Sequence, residues 1–258
     1  MSEPRLAEVP EWAAAGPLAG LYADIRSVLG LPMVNLVYRH LATRPGLLER
    51  CWTALRPNLA SSAAAAAATE LGALAALGGP QVSLVAGLPE ETVRLARATA
   101  GAYGRGNALN VLAMFALLDG CCGGAGGEEV PPPAPAPILP MASLDELAPP
   151  VAELLDEISL RVVGGEEPRL VPSLFRHFAG DERLLAASWA VLEPGLDEAL
   201  ERAGRVAGRA RTLAADLPHP VPKLQDERAR DVARRFSKAT SRMLVCGELL
   251  GAALGEAA

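Results

Sequence analysis

Two dipeptides recur along this 258-residue chain with the charge and donor geometry to hold an anion: Arg39-His40 and Arg176-His177. A guanidinium fork can grip a carboxylate through two parallel N–H···O bonds, so either arginine could fix a small acid. A repeated pair also has a plainer use, as a contact between two similar units. A second constellation is Asn107 and Asn110. Three residues apart, they fall near one face of a helix, and Asn110 sits among Leu109, Val111 and Leu112. An amide in such surroundings either bridges helices or faces a ligand, because buried polar groups find partners. Asn35 has Pro172 where a symmetric polar residue would stand, which makes it a pocket candidate. Tyr38 and Phe175 occupy matching positions and are candidates for either pocket wall or repeat core.

Other chemistries are poorly served. Cys121 and Cys122 are adjacent, and neither a metal nor a redox pair uses that spacing; with Cys51, Cys246 and only three histidines, no metal site and no cofactor are expected. The absence of a Cys-x-x-Cys ranks peroxidase-like chemistry last among the readings. There is no G-x-S-x-G, no P-loop and no dinucleotide fingerprint in a strand–helix setting. The glycine-rich stretch Gly101 to Gly106 reads as a turn between helices.

The elements that must position these residues are helical. Half of the chain is hydrophobic and only 4% is aromatic. Alanine and leucine dominate, and both favour helices, whereas sheets draw on β-branched and aromatic residues. The expected fold class is all-α. A net charge of -6 is poorly suited to the phosphate backbone of nucleic acid. The basic cluster Arg228, Arg230, Arg234, Arg235 and Lys238 is interleaved with Asp226, Glu227 and Asp231, as on a solvated helix face. No apolar leader opens the chain, and the most apolar run, Leu59 to Leu88, is broken by Glu70, Gly78, Gly79 and Pro80, so no membrane span is expected. A cytoplasmic location follows by default.

The chain repeats itself. Tyr38-Arg39-His40-Leu41-Ala42 matches Phe175-Arg176-His177-Phe178-Ala179, and the same offset of 137 carries Leu47-Leu48, Trp52, Leu55 and Pro57 onto Leu184-Leu185, Trp189, Leu192 and Pro194. Farther on, Tyr103-Gly104-Arg105 resembles Phe236-Ser237-Lys238 at an offset of 133. Between the copies lies a Gly- and Pro-rich segment in which no helix can persist. The expected organisation is a first helical repeat over 1–120, a linker over 121–150 and a second repeat over 151–258. Expected helices cover Leu18 to Leu29, Met33 to Thr43, Pro45 to Leu55, Leu59 to Leu77, Pro89 to Ala102 and Asn107 to Leu118. In the second half they begin near Asp145, Pro168, Asp181, Pro194 and Lys223. Two copies make a pseudo-dimer rather than a solenoid, with any pocket between them.

The segments Tyr22-Ala23-Asp24-Ile25-Arg26, Gly30-Leu31-Pro32, Val34 to Ala42, Pro45 to Leu48, Trp52 and Leu55-Arg56-Pro57, together with Tyr103 to Leu117, resemble the group I 2-haloacid dehalogenases. That resemblance implies an all-α pseudo-dimer, distantly similar to alkylhydroperoxidase D-like units. It implies hydrolysis of the carbon–halogen bond of short 2-haloacids, without a covalent intermediate, by a water that an Asp and an Asn activate. Asn110, or Asn107, matches the family's Asn. The Asp would lie on the helix spanning 168–178, where this chain reads PRLVPSLFRHF and has no acid; Ser173 and Leu174 occupy that place. Asp156, Glu157 and Asp181 are the substitutes to examine. Asn35, Tyr38, Ser173 and Phe175 would line the pocket. The partner implied is a small carboxylic acid, and a second copy of the chain is left open. Loss of the base would leave a family member that binds such an acid without dehalogenation.

Overall fold

A computed structural model describes residues 5–76, 87–124 and 127–255. Ten α-helices run through the described residues: α1 (Pro17–Leu29), α2 (Leu36–Leu41), α3 (Leu47–Leu59), α4 (Ser62–Ala75), α5 (Glu90–Asp119), α6 (Pro149–Val163), α7 (Ser173–Phe178), α8 (Glu182–Leu192), α9 (Leu196–Ala215) and α10 (Glu227–Ala253). No strand longer than a single bridge occurs among them. The all-α expectation holds. The expected end of the fourth helix, at Leu77 and Gly78-Gly79-Pro80, lies outside the described residues.

Local chemistry starts and stops these helices. Ser61 accepts from the Ala64 amide at the head of α4, Asp181 from Arg183 and Leu184 at α8, and Asp226 from Ala229 at α10. Each cap satisfies an amide that the first turn leaves without a partner. Gly30 closes α1 at φ 60°, a left-handed conformation in which glycine has no Cβ penalty. Pro149-Pro150 open α6, where the first turn needs no donor. Pro57 lies inside α3 rather than ending it.

One expectation fails outright. Gly101 to Gly106 is no turn: α5 runs unbroken through it for 30 residues. Glycine costs a helix about 1 kcal/mol each relative to alanine, and here close packing outweighs that cost. A Cβ on Gly106 would lie 2.9 Å from Leu31 and 3.3 Å from the Asn35 amide nitrogen. A Cβ on Gly104 would lie 2.7 Å from the Glu248 carboxylate. The glycines let neighbours approach the α5 backbone, and that burial holds the helix.

The two longest helices, α5 and α10, make the most extensive helix–helix contact, and α9 packs on both. Their shared surface is apolar over most of its length, with Val111, Leu112, Leu244 and Leu250 fully buried. The Gly/Pro-rich segment is tied to both halves. Val130 donates to the Ala60 carbonyl, Leu139 to the Thr99 hydroxyl, and Ala142 to the Arg176 carbonyl. A strap before α1 does the same: Leu6 donates to Arg169, Val9 donates to Arg39, and the Val9 carbonyl accepts from the Tyr22 hydroxyl.

Candidate functional site

Asn35 immediately precedes α2, Asn107 and Asn110 lie on the buried face of α5, and Ser173 begins α7. The fold brings all four to one small cavity. Its walls are Asn35, Leu36, Val37, Tyr103, Asn107 and Asn110 from one side of the Gly/Pro-rich segment. From the other come Leu170, Pro172, Ser173, Leu174, Phe236, Ala239, Thr240 and Met243. The volume is about 50 Å³, room for roughly four water-sized groups.

The polar atoms facing this space are short of partners. Asn35 makes no cap hydrogen bond at α2. Its side-chain carbonyl, the Asn110 carbonyl and the Asn107 amide nitrogen are buried without a hydrogen-bond partner. An unpaired buried amide costs about 1–3 kcal/mol. Three around one cavity define a site prepared for a small polar guest: two acceptors suited to a water's protons, and one donor suited to an anion. Asn110 is 1% exposed and cannot turn to bulk water instead.

Behind the amides stands a buried basic network. Arg39, 2% exposed, donates from Nη2 to the Ser173 hydroxyl at 3.0 Å and pairs with Glu8 at 2.7 Å. Glu8 also pairs with Arg176 at 3.0 Å. One carboxylate from the strap thus joins the two repeat-matched arginines. The carboxylate these arginines hold is the protein's own. Tyr103, across the cavity from Ser173, is held protonated, since burial raises its hydroxyl to about 12. Tyr103 meets the His177 ring edge-on, with centroids 5.6 Å apart. Burial, with Arg39 and Arg176 adding to it, lowers His177 to about 4, so the ring is neutral at ordinary pH. Its Nδ1–H donates to the Leu139 carbonyl at 2.6 Å, and Nε2 is buried without a partner.

Tyr38 and Phe175, expected at the pocket, do not line it. Both are fully buried in the core, and Tyr38 packs edge-on against Trp52 at 5.6 Å. Their faces of α2 and α7 turn inward, a consequence of packing that a two-copy alignment does not reveal. The substitutes for the missing acid are elsewhere. Asp181 is spent on the α8 cap, Asp156 pairs with Arg169, and Glu157 is exposed. No carboxylate lines the cavity among the described residues. Tyr103, Thr240 and Met243 are the residues that sequence reasoning missed. The match of Tyr103 to Phe236 carried the signal, since continuing its offset of 133 places Thr240 opposite Asn107 and Met243 opposite Asn110.

No family model matches the chain. An (R)-2-haloacid dehalogenase of Pseudomonas putida is 45% identical over 49 residues, a match that spans 19% of this chain and 16% of that protein's length. A D-2-haloacid dehalogenase mutant superposes with a TM-score of 0.80 at 16% identity, over 98% of this chain and 97% of that one. A complex of a D-2-haloacid dehalogenase with L-LA and one of a mutant with D-2-CPA give 0.79 and 0.78, each at 17% identity and the same coverage. The chain therefore has the fold of the D-2-haloacid dehalogenase structures along nearly its whole length.

Proposed function

We propose that the chain is a 2-haloacid dehalogenase-like hydrolase that places a short 2-substituted carboxylic acid in the cavity between two helical repeats, 1–120 and 151–258. The observation that carries the reading is the trio of unpartnered amides on a cavity of about 50 Å³. In this scheme the Asn110 carbonyl accepts one proton of a water and aims its lone pair at C2, leaving the other proton for a base. The Asn107 amide and the Ser173 hydroxyl donate to the anionic end of the substrate. Leu36, Phe236 and Met243 cover its alkyl group.

The water's oxygen bonds to C2 as the halide departs with the carbon–halogen electron pair, and the water's proton needs a base. His177 is the base that the surroundings of the site offer. At about 4 its basicity equals that of an ordinary Asp. Being neutral, it does not repel an acid substrate, and its free Nε2 belongs to a ring in contact with Tyr103 on the cavity wall. The four cysteines are free thiols, in keeping with a reducing, cytoplasmic setting.

Halide release from each enantiomer of 2-chloropropionate tests the reading, with Asn110→Ala and His177→Gln beside the wild type. Release lost in both variants supports it. Folded wild type that releases no halide overturns it. The lack of any carboxylate on the cavity wall favours one second reading: a pocket that binds such an acid without turnover. A rise in melting temperature with lactate or 2-chloropropionate, and no halide, would establish that reading.

A further inference from the structure

A second, larger cavity of about 420 Å³ opens on the opposite side of α5, between α1, α4, α10 and the proline run 131–133. Its walls are mainly apolar, with Ser61, Thr69 and two charged residues, Arg105 and Glu248, among them. Glu248, on α10, points its carboxylate into this space, and no hydrogen bond or ion pair to it exists among the described residues. Every other carboxylate as enclosed as this one would be expected to carry a partner, because isolated charge is costly away from water. Two glycines make room for it. A Cβ on Gly104 would stand 2.7 Å from Glu248 Oε1, and one on Gly72 3.9 Å from it. The cation that shares the cavity is engaged elsewhere: Arg105 donates to the Gly30 carbonyl.

We propose that this cavity binds a small apolar molecule bearing a protonated amine, with Glu248 as its counter-ion. The ammonium supplies the charge that the carboxylate lacks, and the apolar remainder displaces water from the proline and leucine walls. The titration behaviour of Glu248 agrees: burial alone raises its carboxyl, and no neighbouring charge opposes that shift. A bound ammonium would reverse it. The inference is independent of the function proposed above, since none of the residues assigned to water or substrate lines this second cavity.

Benzylamine, benzyl alcohol and benzoate are suitable probes, titrated calorimetrically against the full chain at neutral pH. Benzylamine is expected to bind at least tenfold more tightly than benzyl alcohol, with benzoate weakest. Glu248→Gln is expected to fold, to keep any halide release unchanged, and to erase the tenfold difference. A readout that needs no variant is the 13Cδ resonance of Glu248, which should move as benzylamine is added to wild type. Equal binding of amine and alcohol, no binding of the amine at millimolar concentration, or an unmoved Glu248 resonance would each overturn the proposal.

Discussion

The two walls of the small cavity use matching positions for opposite ends. On the wall from the first half stand Asn35, Tyr103, Asn107 and Asn110; at the matching places on the second stand Pro172, Phe236, Thr240 and Met243. The first wall offers amides with unpaired atoms beside the Tyr103 ring, and the second offers a ring, a thioether and a proline beside the Thr240 and Ser173 hydroxyls. A symmetric site would bind a symmetric guest. An asymmetric one suits a molecule with a polar reacting end and a short alkyl end, and it fixes which way round that molecule lies.

The sharpest way to break this comparison is to make the walls alike. Asn110→Met should lower halide release by about 100–1,000-fold, the usual effect of losing one orienting polar group. Because the amide carbonyl is unpaired in the folded state, the same change should leave the melting temperature unchanged or raise it. A fall in both activity and stability would make Asn110 a structural residue.

The next effect tests what keeps the walls together. Glu8→Gln removes the charge that Arg39 and Arg176 share. Breaking a buried pair costs about 3 kcal/mol, which at about 2–4 °C per kcal/mol for a chain of this size lowers the melting temperature by roughly 10 °C. An unchanged transition would show that the strap contributes nothing to joining the halves. Smaller again is Met243→Ala, which enlarges the apolar end. It should shift preference towards an acid one methylene longer by about tenfold in kcat/KM, with the polar wall intact. Identical chain-length profiles would place the alkyl group elsewhere.

The mildest test is a slope in stability against pH. His177 is held near 4 in the fold and would titrate near 6.5 unfolded. Its contribution is therefore fully present above pH 6.5 and is lost as pH falls towards and through 4. His177→Gln should flatten that part of the profile in denaturant titrations between pH 4 and 7. A variant with the wild-type slope would assign the acid sensitivity to other groups, such as His40, which burial also lowers.

How much of this was legible in the sequence depends on how local each signal was. The helical class was readable from composition. The start of α8 is legible at its cap, Asp181, whereas the sequence places those of α4 and α10 at Leu59 and Lys223, just before their caps Ser61 and Asp226. Asn107 and Asn110 stood out by their spacing, Asn35 by its Pro172 counterpart and Ser173 through the family resemblance, and one cavity gathers them. Gly101 to Gly106 misled because a glycine's helix penalty is visible in sequence, while the approach of Leu31 and Glu248 that outweighs it is not. Tyr38 and Phe175 misled for a related reason, since which side of a six-residue helix faces a cavity is decided by its neighbours. Glu8 carried no signal at all: its partners lie 31 and 168 residues away.

That lone Glu8 also keeps count. Arg39 and Arg176 come as a pair, one in each half of the chain, whereas the strap that bears their common counter-charge occurs only before the first. If the chain were cut within its proline run and the pieces mixed, two first pieces would bring two straps to one pair of arginines. Two second pieces would bring none. Only one of each would match a single strap carboxylate to the two arginines it joins in the intact chain.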